Sequence, residues 1–280
     1  MYEVRVWSFA PGPLQRLNVQ HYQDKILVKA LLTAVAQALG IQEDNIQFFA
    51  IFEGSLLNPL RKLDENCELH LPCQRSLSIQ KWSFDMEKEK ISLKSDMAAL
   101  KLLRYQALSN IQEGRLKPSQ EEIETLEGFS SFMVENQVIN IIYSLKDYGA
   151  VIIENCQLIT ELTLPQVSLA KREYITLQLD LKGLTLRTSN TVCVISWGRI
   201  HMVSSSGNIV EYEVHAQSQL IKWLRVETHQ ADYLKSVTSE IWKILNKRHH
   251  AQDLRNSKNT AAGNIAQAEY PYHFGNFDEI

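Results

Sequence analysis

No stretch of this chain approaches the roughly 20 consecutive apolar residues that a membrane-spanning helix needs. Met1-Tyr-Glu-Val-Arg5 also lacks the basic-then-apolar order of a signal peptide. Cysteine is sparse: Cys67, Cys73, Cys156 and Cys193 are the only four in 280 residues, and no two form a Cys-x-x-Cys pair. That usage speaks against a disulfide scaffold and fits reduced thiols in a cytoplasmic protein. A large charge of either sign is missing too, since the net charge is −3. Nucleic acid therefore meets no overall attraction and is not an expected partner, although a local basic patch stays open.

Signatures of catalysis are lacking as well. There is no Gly-x-Ser-x-Gly, no P-loop and no Gly-x-Gly-x-x-Gly. The histidines, His21, His70 and His273 among them, are scattered along the chain, and His249-His250 sits in a basic stretch. Metal sites gather cysteine, histidine or carboxylates at short spacings, which this pattern does not offer. Glu121-Glu122-Ile-Glu124 is a carboxylate cluster, most simply placed at a helix start where the dipole favours negative charge. The expectation is a binding protein with no catalytic residues, no metal and no cofactor.

What is present is core-forming material: 45% hydrophobic residues over a length sufficient for two or three domains. Thr185 to Lys247 organises the rest. Thr191–Trp197, Arg199–Val203, Ile209–Val214 and Leu220–Val226 read as strands, with Ser204–Asn208 as a turn. The period then changes. Ala231, Leu234, Val237, Ile241, Ile244 and Leu245 recur at helical steps, predicting a helix over His229–Lys247 with one buried face. A groove between such a helix and an exposed edge strand accepts an extended peptide by strand addition.

Earlier in the chain, Glu3–Trp7 and Leu14–Val19 read as strands around a Pro11-Gly-Pro13 turn. Lys25–Leu39 reads as a helix with Gly40 as its left-handed C-cap. Ile46–Phe52, Arg61–Leu63 and Glu68–Leu71 follow as strands, which is the order of a ubiquitin-like fold. Met97–Ile111 is helical and stops at Gly114; Ser119 caps the next helical run, which extends to Leu145 and breaks at Asp147-Tyr-Gly149. Gln252–Ala268 is polar and aperiodic and is read as a flexible linker. Phe274-Gly-Asn-Phe-Asp-Glu-Ile280 then sets two aromatics among acids: a plain chain end, or a short motif for a partner.

This order resembles the three lobes of a FERM domain. The resemblance implies a multi-lobed α+β, FERM-like fold: a ubiquitin-like lobe over 1–75, a helical lobe similar to acyl-CoA-binding protein over 76–146, a pleckstrin- or phosphotyrosine-binding-like lobe over 147–250, and a flexible tail over 251–280. The details are most similar to the sorting nexins that join a phox-homology domain to a FERM-like region, sorting nexins 17, 27 and 31, and closest to 17 and 31. Phe48-Phe-Ala-Ile-Phe-Glu53 with Leu60-Arg-Lys-Leu63 resembles their first lobe, and Ile79-Gln-Lys-Trp-Ser-Phe84 their entry to the second. Tyr105-Gln-Ala, Ile111-Gln-Glu-Gly114, Asp147-Tyr-Gly149 and Trp223–Leu245 continue the likeness, and the Gly-Asn run with an acid-acid end resembles the family's tail. The sequence begins where a phox-homology domain would end, so that endosomal phosphoinositide reader is expected to be absent.

The resemblance implies a cytoplasmic protein, peripheral on early and recycling endosomes. Its third lobe would bind Asn-Pro-x-Tyr or Asn-x-x-Tyr signals in receptor tails, and its tail would engage the Retriever recycling complex. Carried over residue by residue, the peptide site is Ile200, Val203, Trp242 and Asn246. Val203 stands where the family has Trp, and Trp242 is either the pocket's replacement bulk or a core aromatic. The partner-binding tail is Phe274, Asn276, Phe277, Asp278, Glu279 and Ile280. Lys243, Lys247 and Arg248 either face an anionic phosphoinositide surface or complement a helix dipole at its C-terminus. Two further readings are a cytoskeleton- or membrane-linking FERM scaffold and a relative that competes for Retriever without holding cargo.

Overall fold

A computed structural model describes residues 1–9, 15–128, 135–164, 167–215 and 221–260. The chain divides into two units, Met1–Ala150 and Val151 onward.

In the first unit, valines at every second position make Tyr2–Ser8 (β1) a strand with one buried face: Val4 and Val6 are 0% exposed. Gln15–His21 (β2) pairs antiparallel along its whole length, while the expected Pro11–Pro13 turn lies outside the described residues. Lys25–Leu27 is a short strand (β3) and not the start of the helix, which runs Val28–Leu39 (α1). Gly40 ends α1 at φ 81°, the left-handed geometry read from its sequence. A 3₁₀ turn over Glu43–Phe48 precedes the strand Phe49–Gly54 (β4), so the first half of the expected Ile46–Phe52 strand is helical. Pro59–Lys62 (β5), Glu68–His70 (β6) and Leu77–Lys81 (β7) complete the strands.

The sheet order is β2-β1-β7-β4-β5, with β3 and β6 paired separately. β7 corrects the expected lobe boundary at 75/76. It lies parallel to β1 and antiparallel to β4, in the centre of the first sheet, so Ile79-Gln-Lys81 belongs to the first lobe.

The helical part contains Met86–Ser92 (α2), Met97–Gln112 (α3), Gln120–Gly128 (α4) and Glu135–Ser144 (α5). Asp96 caps α3: one carboxylate oxygen accepts the Ala99 N–H at 3.0 Å. Its other oxygen accepts the Gln42 N–H at 2.8 Å and the Asn45 amide at 2.9 Å, tying α3 to the first lobe. Ser119 caps α4 reciprocally. Its Oγ accepts the Glu122 N–H at 3.3 Å while Glu122 Oε2 accepts the Ser119 N–H at 2.7 Å, a capping box. Ser119→Ala should cost about 1 kcal/mol in urea denaturation; an unchanged midpoint would show that α4 does not depend on its cap.

The second unit holds Val151–Leu158 (β8), Leu162–Leu164 (β9), Val167–Leu169 (β10), Tyr174–Asp180 (β11), Gly183–Arg187 (β12), Val192–Ile195 (β13), Ile200–Ser206 (β14), Ile209–His215 (β15) and Ile221–Glu227 (β16). Seven of them form one sheet in the order β13-β12-β11-β8-β16-β15-β14. The three serines expected in a turn are strand: Ser206 pairs with Ile209, so the turn is Gly207-Asn208 alone, with Gly207 at φ 58°. The last helix, Ala231–Thr260 (α6), packs on β14, β15 and β11. Ala231, Leu234, Val237 and Ile241 are each 0% exposed, as their spacing predicts, whereas Ile244 and Leu245 are only half-buried. α6 also continues past residue 250, where the tail was expected to begin, so the first part of that expected linker is helical.

Candidate peptide groove

Among the described residues β14 is the last strand of its sheet, so one row of its backbone N–H and C=O groups has no strand neighbour there. Its register with β15 shifts between Ile200 and Met202, which leaves His201 in a bulge. Beyond the bulge, Val203 stands opposite Tyr212 and Ser205 opposite Val210. Tyr212 and Val210 are 0% exposed, so Val203 and Ser205 share the face that α6 covers.

Two contacts fix the helix along this edge. Ser205 Oγ donates to Asp232 Oδ1 at 2.6 Å, near the start of α6. Trp197, just before β14, meets Trp242 edge to face with ring centroids 6.5 Å apart. The end of β14 therefore lies by the start of α6 and its beginning by Trp242, so helix and strand run antiparallel. Trp197 is itself fixed, its indole N–H donating to the Asp180 carbonyl at 2.7 Å. Below the groove, Tyr212 OH and Thr238 Oγ1 are 3.4 Å apart. Burial holds the Tyr212 phenol well above its ordinary range, so it stays neutral at any physiological pH.

Of the expected peptide residues, Val203, Trp242 and Asn246 are half-buried, and Trp242 meets Trp197 just before β14. Ile200 is 1% exposed and belongs to the core, which corrects its assignment as a contact residue. Ser205, Asp232, Lys235 and Ser239 were missed by sequence reading. Lys235, Ser239, Trp242 and Asn246 recur at steps of four and three on one flank of α6, a polar-small-aromatic stripe beside the apolar one. Ser239 leaves room there, its hydroxyl bonding back to the Lys235 carbonyl at 3.0 Å.

The bulge carries its own titrating group. His201 stacks on His215 with centroids 3.7 Å apart. His215 Nε2 lies 3.0 Å from Glu213 Oε1, and the His215 carbonyl accepts from Arg199 Nε at 2.9 Å. Partial burial and the neighbouring His215 hold His201 below the ordinary imidazole value of about 6.5, against a smaller upward pull from Glu213. Because the folded value is the lower one, the stability from this group is complete above about pH 6.5 and is lost as pH falls through the folded value. An NMR titration should give His201 a midpoint below that of a denatured control; an equal or higher one would show that the stack does not form.

The remaining site assignments fare differently. Lys243, Lys247 and Arg248 are exposed, and Lys243 lies 3.7 Å from Glu240. Because α6 ends at Thr260, they sit mid-helix, and complementing the helix C-terminus is no longer an account of them. Phe274, Asn276, Phe277, Asp278, Glu279 and Ile280 lie outside the described residues. Cys156 is buried, and burial pushes its thiol up to about 11, so it is not a nucleophile. Among the described residues no group of three or more metal-ligating side chains is placed to hold an ion, and no helix is long and apolar enough to cross a membrane.

No family model and no curated protein matches the sequence. Solved structures do match the fold. The MyTH4-FERM MF1 domain of Dictyostelium discoideum myosin VII superposes with a TM-score of 0.56 at 11% identity, covering 87% of this chain and 60% of that one. The MF2 domain of the same myosin gives 0.52 at 10% identity, covering 85% of this chain and 58% of that one. This chain thus spans less than two thirds of either structure, and at such low identity the likeness establishes the fold.

Proposed function

The fold is FERM-like, and we infer that the protein is a cargo-sorting adaptor acting at endosomes. In this reading the β14–α6 groove binds Asn-Pro-x-Tyr or Asn-x-x-Tyr signals from receptor tails as an added strand. The observation that carries it is the open edge of β14 lying beside α6 with Val203 and Trp242 half-buried at the junction. Backbone pairing supplies affinity in this mode, and side-chain pockets supply selectivity. The bulge at His201 interrupts regular pairing, so Met202–Ser206 is the usable edge, and the peptide's aromatic residue rests near Trp242.

Calorimetry with a synthetic Asn-Pro-x-Tyr peptide should give micromolar affinity, about −8 kcal/mol, because an unstructured tail loses conformational entropy on binding. Val203→Asp or Trp242→Ala should weaken it tenfold or more in a chain that remains folded. Absence of heat and of competition across a set of such peptides would remove the cargo assignment.

The second contact in this reading is the tail. Phe274 and Phe277 offer apolar anchors, and Asp278, Glu279 and the terminal carboxylate offer negative charge, a combination suited to a groove with a basic rim in a Retriever-type complex. Removing Asp278–Ile280 should abolish co-precipitation of that complex and leave peptide affinity unchanged. Undiminished recovery would favour the second reading, a cytoskeleton- or membrane-linking FERM scaffold, which the likeness to myosin VII FERM domains supports at the level of fold.

A further inference from the structure

Among the described residues, β2, β5, β13 and β14 are the end strands of the two large sheets. Three of them carry features that deter or shorten a further pairing. β2 is polar along Gln15, Arg16, Asn18 and Gln20, β5 holds Pro59, Arg61 and Lys62, and β14 bulges at His201. β13 has none of these. Val192-Cys-Val-Ile195 contains no charge, proline or glycine, and its register with β12 runs unbroken from Arg187–Val192 to Leu184–Ile195. Val192 is 61% exposed and Val194 56%, and no other strand among the described residues shows two exposed large apolar side chains.

Hydrogen-bond parity decides which backbone groups of β13 face outward. The Thr188 N–H donates to the Thr191 carbonyl at 2.9 Å, so these two residues form a hydrogen-bonded pair. Such pairs alternate along an antiparallel ladder, so Leu186–Cys193 and Leu184–Ile195 are bonded and Arg187–Val192 and Thr185–Val194 are not. The N–H and C=O groups of Val192 and Val194 therefore point away from β12, to the open side. Their side chains lie with Thr185 and Arg187 on one face, while Cys193 stands opposite the buried Leu186 on the other. Arg187 donates to Gln178 on β11, away from the edge.

We propose that β13 pairs antiparallel with β13 of a second copy of this chain, about a two-fold axis at Cys193. Val192-Cys-Val194 reads the same in both directions, so this register sets Val192 of each copy opposite Val194 of the other. Each such pair exchanges two backbone hydrogen bonds, and all the outward groups of both valines are used. Moving the axis to Val192 or to Val194 sets the other valine against Asn190 or Ser196 instead. The valine side chains meet as β-branched cross-strand pairs, and no charge within either strand opposes the approach. Two four-residue strands bury less than the roughly 1,200 Å² of a standard stable interface, so the dimer is transient and concentration-dependent. The surface is separate from the peptide groove, whose open row belongs to β14.

The test is sedimentation velocity of the full chain under reducing conditions. The mass should rise from that of one chain toward that of two, with a dissociation constant on the order of 100 μM for an interface of this class. Val192→Lys with Val194→Lys sets like charges directly opposite each other and should weaken association at least about tenfold. Val192→Glu with Val194→Glu should do the same, and mixing the two variants should restore a dimer. Both positions are exposed, and matching thermal melts would establish that each variant is folded. As an independent readout, the two Cys193 residues would form a non-hydrogen-bonded pair with Cα atoms about 4.5 Å apart, within disulfide reach. Diamide, which takes two electrons and two protons from the two thiols and becomes its hydrazine, should join Cys193 to Cys193. Cys193→Ser should abolish that link. Constant mass at every concentration, dimerisation undiminished by the substitutions, no recovery on mixing, or oxidised dimers joined through Cys67 with Cys193 free would each overturn the proposal. Amides of β13 protected from hydrogen exchange in a chain that stays monomeric would overturn it in favour of a strand added from the same chain.

Discussion

Glu89→Ala should destabilise the protein by about 3–5 kcal/mol, the loss that follows when one partner of a buried ion pair is removed. Glu89 is 0% exposed, and its Oε2 lies 3.2 Å from Lys81 Nζ, whose side chain is 9% exposed. The contact is ionic, while the directed hydrogen bonds fall on the other oxygen: Tyr143 OH donates to Oε1 at 3.1 Å and Tyr148 OH at 3.3 Å. Lys81 Nζ also sits 4.2 Å from the Tyr148 ring centroid, and the two tyrosine rings meet edge to face at 5.4 Å. Alanine would leave an ammonium and two hydroxyls with their shared acceptor gone. Each unmade bond adds its own desolvation penalty.

The companion variants separate these contributions. Lys81→Met with Glu89→Leu removes both charges and should recover the part of the loss due to the unpaired ammonium, while the Tyr143 and Tyr148 hydroxyls still lack their acceptor. Urea denaturation at constant m value measures each variant, and a double-mutant cycle isolates the pair. A loss below about 1 kcal/mol for Glu89→Ala would show that water reaches Lys81, since an exposed ion pair contributes no more than that. The tyrosines add an alkaline limit. Burial first, then the Glu89 charge, raises both phenols above their ordinary value of 10.0. Their folded values being the higher ones, their contribution is complete below about pH 10 and is lost as pH rises toward those values.

This cluster also shows where reading the sequence stops. α2 went unseen because hydrophobic periodicity is the main local signal, and the only buried residue in Met86–Ser92 is a carboxylate. Asp85 does cap it, its side chain accepting the Lys88 N–H at a long 3.4 Å, but one cap before a seven-residue polar segment is a weak sign. β7 was misplaced for a different reason. Leu77–Lys81 reads as a strand, yet its parallel pairing with β1 spans some seventy residues of chain, and no local pattern encodes a partner. The open edge of β14 has the same character. The β14–β15 hairpin is legible from Gly207-Asn208, but β14 is an edge only because β8 pairs with β16, Leu158 opposite Val226.

What was legible in the second unit is the amphipathic stripe of α6, and its limit is physical as well. Leu245 has the right spacing but is half-buried, because periodicity gives the face of a helix and not the point where the sheet beneath it ends. The helix likewise outlasts its apolar stripe. Gln252–Thr260 is polar and helical, although nothing in its pattern demands a helix. For the groove, the family resemblance suggests Val203, Trp242 and Asn246, which the structure leaves half-buried. Ile200 came from the same resemblance as a contact residue, whereas it stands opposite the buried Val214, across the bulge at His201, and is itself core.

Ile241→Ala should cost about 2–5 kcal/mol, the range for truncating a buried isoleucine to alanine. Ile241 is 0% exposed, as are Leu234, Val237 and Thr238 on the same side of α6. The strands beneath present Val210, Tyr212, Val214, Leu224 and Val226, also 0% exposed, so the lost methyl groups leave a cavity that rigid neighbours cannot close. The adjacent residue should behave oppositely. Trp242 lies half-buried against Trp197 on the groove flank, so Trp242→Ala should lower peptide affinity more than it lowers stability. Urea midpoints paired with calorimetry at a temperature where both variants are folded would separate the two residues. A stability loss under about half a kcal/mol for Ile241→Ala, the size of an ordinary surface substitution, would mean that α6 does not present this face to the sheet. The groove would then lose its wall, because the same helical rotation that buries Ile241 sets Trp242 beside β14.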